Sequence, residues 1–446
     1  MTAIAIAAAL LVAQPAPGPR TLTLDDALRE AQARNLDLQA ARARLDQART
    51  LGWKAWSQQL PQITAGATWT RNSVEATISL PTQYQVLDLG PGATPRYVTG
   101  QPLQTVATTI QAKDQFGAQV QAAVPLIAPS LWFGIAAARA GEKASEQGTE
   151  AARREILFGV AQLYFGAVGG RFAVQITERQ LSVALDHEKD ARVRFEAGTA
   201  PKVALLRAEI DRAKAEQDLK SARAGYDSAR SALATMLGRA AVDFDVEAPA
   251  EPAAPPPEGE LEDGASRDRP DVQAAETAVR VAERSRGVTW GKYLPSLGAF
   301  GRYQWANVAG FTGTETTWAV GLALNWTLLD GTLREAELAE NGAKVAEAEA
   351  NLASARLKAR DEVRRARLEL ETAVANRQKA RETVDLAREN QRLVDVNYKA
   401  GAATYLESSD ANAQLTTAEL SAVTEQLKAQ LAVLKLLKAA GRFDPR

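Results

Sequence analysis

Two acidic side chains three residues apart, Glu407 and Asp410, form the most suggestive chemical pair in this 446-residue sequence. That spacing puts both carboxylates on one face of a helix, where they would attract cations and repel copies of themselves. Acids in the first turns of a helix are also favoured by the macrodipole alone. The spacing by itself does not separate the two roles. Little else in the chain is equipped for chemistry. The absence of cysteine excludes disulfides, thiolate metal sites, cysteine nucleophiles and acylation of an N-terminal cysteine. His187 is the only histidine, and Met1 and Met236 are the only methionines. No nucleophile–base set, phosphate loop or metal cluster is legible, so no catalysis, cofactor or resident metal is expected. With 53 basic and 54 acidic residues the net charge is −1, which gives no electrostatic reason to expect nucleic acid as a partner.

The acidic pair follows Gly401, and Gly401 belongs to an internal repeat. Arg194-Phe195-Glu-Ala-Gly198 recurs as Asn397-Tyr398-Lys-Ala-Gly401, and Trp56-Ser-Gln-Gln-Leu-Pro61 recurs as Trp290-Gly-Lys-Tyr-Leu-Pro295. The landmarks keep their order, which predicts a duplicated unit: residues 22–240, then a Pro-rich linker over 241–265, then 266–441. The first copy holds roughly thirty extra residues, assigned to a long loop between Arg71 and Asp114. Residues 1–17, an apolar run followed by Gln14-Pro15-Ala16-Pro17, read as a secretory signal peptide, although its start carries no Lys or Arg.

Each half predicts the same elements. A helix runs from Ala27 to about Gln58 behind a capping pair at Thr23 and Asp26, and its counterpart opens at Arg269-Pro270-Asp271. Two alternating strands follow in each half: 62–70 and 116–124, then 297–305 and 318–326. They are about ten residues long, apolar on one face and small or polar on the other. Trp69, Trp305, Trp318 and Trp326 stand near their ends as candidate membrane-interface aromatics. A soluble antiparallel sheet shows the same alternation, and the strands alone do not choose. Long helices then run from Leu131 to Phe195 and from Leu333 to Tyr398, each about 100 Å at 1.5 Å per residue. They end at Gly198 and Gly401 and return over 203–237 and 404–437. Coiled-coil stripes are read at Leu420, Val423, Leu427, Leu431 and Leu434, and at Val363, Ala366, Leu370 and Val374. The fold class is thus mainly α with transmembrane β. Four strands cannot close a membrane barrel, so if they lie in lipid two or three chains must share one.

This ordered set resembles the TolC-like outer-membrane efflux proteins from about Leu22 to Gly441. The matching features are Leu22-Thr-Leu-Asp-Asp-Ala-Leu28 with Asn35, both Leu-Pro strand openings, Arg269-Pro-Asp-Val272, Leu328-Leu-Asp-Gly331 and the two hairpin tips. The resemblance implies a homotrimer in the outer membrane, with a shared twelve-stranded barrel and a periplasmic α-helical tunnel. It implies a passive exit duct for a tripartite efflux pump or type I secretion system. Its partners would be a periplasmic adaptor, an inner-membrane transporter indirectly, and outer-membrane lipid. It places Glu407 and Asp410 at the periplasmic constriction, and Arg194, Phe195, Gly198, Tyr398 and Gly401 at adaptor-contact tips. Some members lock the tips with an acid–base pair. The matching positions here are Ala204 and Ala403, leaving Arg207, Lys202 or Lys399 as substitutes. The competing reading, a coiled-coil scaffold of the cell envelope, leaves the four strands unexplained.

Overall fold

The computed structural model describes residues 20–83, 86–87, 91, 96–97, 104–249, 261, 264–265, 267–309 and 312–445. The signal-like segment 1–17 and linker residues 250–260 lie outside the described residues. The first half runs β1 (Arg20–Leu22), α1 (Leu24–Arg34), α2 (Leu36–Ser57), β2 (Gln62–Arg71), β3 (Ala76–Gln83), β4 (Val86–Leu87), β5 (Arg96–Tyr97), β6 (Gln104–Gln111), β7 (Asp114–Ile127), α3 (Pro129–Glu196) and α4 (Lys202–Met236). After β8 (Phe244–Val246) come α5 (Pro270–Gly291), β9 (Ser296–Ala306), β10 (Thr316–Asn325), α6 (Leu333–Lys399) and α7 (Tyr405–Ala439). The chain divides into two compact units, one of Ala48–Glu142 with Thr277–Glu349, the other of Met1–Gln47, Lys143–Glu276 and Ala350–Arg446.

The first of these units holds a four-stranded antiparallel sheet in the order β10-β9-β7-β2. The segment expected to be a loop between Arg71 and Asp114 is partly strand: β3 pairs with β6, and β4 with β5. Thr77, Ile78, Thr108, Thr109 and Ile110 favour an extended chain, a preference hidden in the sequence by the surrounding Pro and Gly. Where β10 leads into α6, Arg334 is buried and closes the turn. Its guanidinium pairs with Asp330 at 2.8 Å, donates to the Thr327 carbonyl at 2.9 Å, and lies 4.6 Å from the Tyr293 ring centre. The Leu328–Gly331 motif therefore has a local reason.

The other unit is helical around a core of Leu22, Leu28, Leu157, Tyr164, Leu233, Phe244 and their neighbours. The first helix is not continuous as expected; it breaks at Asn35. The Asn35 side-chain oxygen accepts from the Leu38 N–H at 2.8 Å, and its amide donates to the Met236 carbonyl at 2.7 Å, so it caps a second helix. Part of the presumed linker is core: β8 pairs parallel to β1, and Phe244, Val246, Leu261 and Ala265 are buried. The Tyr164 hydroxyl joins those strands, 2.7 Å from the Glu247 carbonyl and 2.9 Å from that of Leu22. Helix α3 contains a stretch apolar enough to cross a membrane by composition. Along this helix Leu157, Val160, Tyr164 and Val168 are buried in the core.

The outgoing helices α3 and α6 have 68 and 67 residues, and the returning helices α4 and α7 have 35 each. The near-equal lengths reflect the duplication. On α6 the buried seam runs Val363, Ala366, Leu370, Ala373; Val374, read as part of it, is 43 % exposed. Steps of three, four and three make Ala373 the heptad position.

Candidate functional site

The sheet's two faces differ in chemistry. On one, cross-strand registers align Ile63 with Ala122, Trp69 with Phe116, and Trp318 with Tyr303. Val320, Leu322 and Leu324 continue this face at 72 %, 66 % and 68 % exposure. So large an open apolar surface marks contact with lipid or protein. The other face carries Gln, Thr, Ser, Asn, Gly and Ala, with Phe300 and Arg302. Trp69, Trp305 and Trp318 gather toward one end of the sheet with Phe116. Trp326 lies one residue beyond β10, and its indole N–H donates to the Tyr293 carbonyl at 3.1 Å. Trp326 follows Trp318 by eight positions, about 26 Å along an extended chain, which at a strand tilt of about 40° spans about 20 Å of the roughly 25 Å apolar band of a membrane barrel. Both outer strands, β2 and β10, have an open edge.

The hairpin tips are built alike. Gly198 and Gly401 have φ of 74° and 81°, the left-handed conformation that glycine adopts freely. Around them Thr199 N–H donates to Arg194 O at 2.9 Å and Ala402 N–H to Asn397 O at 2.8 Å, the closing bonds of a Schellman turn. Arg194 pairs with Asp190 at 3.0 Å and sits 4.7 Å from the Tyr398 ring centre, while Phe195 is exposed.

Neither Arg207 nor Lys202 makes an ion pair among the described residues, and Lys399 pairs with Asp395 on its own helix at 2.7 Å. The hairpins are joined instead through Asp211 of α4. One of its carboxylate oxygens accepts from the Tyr405 hydroxyl and from the Ser409 hydroxyl of α7, each at 2.7 Å. Tyr405 packs with Ala191, Ala208 and Tyr398 in a small buried cluster. Burial, with Asp211 beside it, pushes the Tyr405 phenol far up, so it remains a donor. His187 stacks parallel to Tyr398 at 6.0 Å. Burial lowers its pKa against the opposing pull of Asp395, Asp190 and Asp186. A cavity of about 280 Å3 lies beside this tie, lined by His187, Asp211, Lys214, Gln391, Tyr405 and Ser409. No local sequence signal marks Asp211, because its partners are nearly two hundred residues away.

Glu407 has a structural task. With Thr404 it forms a capping box: its carboxylate accepts from the Thr404 N–H at 2.7 Å, and its own N–H donates to the Thr404 hydroxyl at 3.3 Å. The Thr404 N–H and the Thr404 hydroxyl, which donates to the same oxygen at 2.9 Å, hold its carboxyl below the usual range. Asp410 is exposed and makes no ion pair among the described residues.

The chain matches the model of the outer membrane efflux protein family over residues 27–239 and 263–442, and it belongs to that family. The two matched blocks follow the duplication. The family is one of channel proteins, not enzymes, and its place is the outer membrane. No curated protein matches the chain. Among solved structures, the fold is similar to that of the outer membrane protein VceC from Vibrio cholerae. Identity is 20 %, with a TM-score of 0.74 over 94 % of this chain and 97 % of that one. It is similar to the open state of the Neisseria gonorrhoeae MtrE outer membrane channel, at 22 % identity and a TM-score of 0.72 over 96 % and 91 %. A membrane protein from Pseudomonas aeruginosa matches at 20 % identity and a TM-score of 0.75 over 94 % and 90 %. At such identities the likeness establishes the fold.

Proposed function

We propose that three copies of this chain share one twelve-stranded barrel and form the passive exit duct of a tripartite efflux pump or type I secretion system. The observation that carries the reading is the four-stranded sheet, with one apolar face, one polar face and two open edges. An open edge in lipid leaves N–H and C=O groups unpaired, at several kcal/mol each. Strand direction alternates across the sheet, so β10 of one copy meets β2 of the next antiparallel and every edge is satisfied. The number three rests on the resemblance to the TolC-like efflux proteins. The apolar face with Trp69, Trp305, Trp318 and Trp326 turns to lipid, and the helical hairpins form the periplasmic tunnel.

At the tunnel mouth, Glu407 and Asp410 of three copies would gather six carboxylates and favour cations. Arg194, Phe195, Gly198, Tyr398 and Gly401 offer the surface on which a periplasmic adaptor docks, linking the duct to an inner-membrane transporter that supplies the energy. Asp211 with Tyr405 and Ser409 takes the place of the acid–base lock that Ala204 and Ala403 cannot make. The test is reconstitution of protein purified from outer membranes into planar bilayers. Discrete conductance steps support the duct. Well-folded protein that never conducts would leave the scaffold reading in its place.

A further inference from the structure

We infer that Arg302 gives the barrel lumen a ring of positive charge that raises chloride permeability against the cation preference set by Glu407 and Asp410; the inference rests on the duct reading above. Arg302 lies in the middle of β9, opposite Gln121 of β7 on one side and Ala319 of β10 on the other. Those registers put it on the polar face, in a row completed by Thr64. Charged side chains are scarce in the four strands. Arg71 and Asp114 stand on the apolar face at the strand ends and pair with each other at 3.3 Å. Within β2, β7, β9 and β10, Arg302 is the only charged side chain on the polar face among the described residues. Its side chain is exposed and makes no ion pair or hydrogen bond with any described residue.

Its position decides its surroundings. A guanidinium halfway along a membrane strand is costly against lipid and acceptable in a water-filled lumen. Two residues along on the same face, Phe300 lies over Gly321 of β10. A Cβ at Gly321 would come within 3.0 Å of the Phe300 ring, so glycine keeps the ring against the wall. The other neighbours of Arg302 on this face are small or neutral; among the described residues the carboxylate that continues the face is Glu315, one residue before β10 and opposite Ala306. Threefold symmetry repeats the charge at one depth, producing a ring of three positive charges within a narrow stretch of the pore. Rings of basic side chains select anions by raising their local concentration, and the effect is screened as ionic strength rises.

The experiment measures reversal potentials in planar bilayers under a potassium chloride gradient, for the wild type, Arg302→Gln, Arg302→Lys and Arg302→Glu. Oligomer formation in each preparation is checked on unheated gels. The chloride-to-potassium permeability ratio should fall roughly twofold or more in Arg302→Gln near 0.1 M salt. It should be retained in Arg302→Lys and fall furthest in Arg302→Glu, with the differences shrinking at about 1 M salt. Channels whose permeability ratio is the same in all four proteins would overturn the role of Arg302 and leave the duct intact. A wild type that forms no channels would overturn the duct reading, and this inference with it.

Discussion

Replacing Tyr405 by Phe removes one oxygen from the tie between the two hairpins and leaves the ring packed as before. The Tyr405 hydroxyl lies 2.7 Å from the Asp211 carboxylate, and Ser409 reaches the same oxygen at 2.7 Å. A hydrogen bond to a charged acceptor contributes about 1.5–3 kcal/mol net. Asp211 is only half-buried and keeps its second donor, which favours the lower end, about 1.5 kcal/mol. That corresponds to roughly a tenfold increase in local opening of the tip. Phe preserves the contacts with Tyr398 and His187, at 6.3 and 6.0 Å between ring centres, so packing loss should be small. Amide hydrogen exchange over residues 404–412, followed by mass spectrometry, reads the opening without assuming any transport activity. Tyr405→Phe should lower protection there by about tenfold, and Asp211→Ala by more. In the Asp211→Ala background, Tyr405→Phe should add almost nothing, because its partner is already gone. Protection within twofold of the wild type, or an equal effect of Tyr405→Phe in both backgrounds, would refute the assignment.

Three further outcomes are expected. Glu407→Gln combined with Asp410→Asn should raise single-channel conductance and weaken cation preference. Gln can keep the capping box that Ala would lose, so unchanged conductance in this pair counts directly against a constriction of carboxylates. His187 has a folded-state pKa below its unfolded value of about 6.5, so its contribution is fully present above that pH and is lost as pH falls through the folded value. Exchange protection at the tip should therefore drop on acidification below pH 6.5, and His187→Phe should flatten that dependence; an unaltered pH profile in the variant contradicts the reading. Finally, Tyr164→Phe removes a buried hydroxyl that serves two backbone carbonyls, at a cost of about 1–2 kcal/mol. Its urea midpoint should fall while the spectrum of the folded protein is kept, and an unchanged midpoint would show that Tyr164 contributes through packing alone.

What was legible in the sequence follows the range over which each signal acts. The strands announce themselves by alternation, as in Trp318, Val320, Leu322 and Leu324, because side-chain direction is fixed by the neighbouring residue. Gly198 and Gly401 mark the helix ends for the same local reason. The break at Asn35 carries a local sign, an N-cap asparagine accepting from the Leu38 N–H, but the apolar pattern runs on through it, and its second partner, the Met236 carbonyl, lies across the fold. β3 and β6 are hidden in the sequence because Pro and Gly in and around them dilute their β-branched residues. Of the candidate site, the turns at Gly198 and Gly401 and the helical position of Glu407 and Asp410 behind the second follow from the text. The capping task of Glu407 is written in Thr404-Tyr-Leu-Glu407, a Thr-x-x-Glu box at the start of α7. The Asp211 tie joins residues 194 and 198 positions apart, and no periodicity reports such a pairing.

The central claim, a closed ring of three chains joined β10 to β2, can be tested by disulfide trapping, since the chain has no cysteine of its own. Paired cysteines would be placed on the polar face, at Ala319 or Ala323 of β10 and at Thr64, Gly66 or Thr68 of β2, and oxidised in intact outer membranes. At least one pairing should yield a covalent ladder that ends at three chains and disappears on reduction. Absence of cross-links for every pairing, or a ladder that runs past three, would contradict the shared barrel.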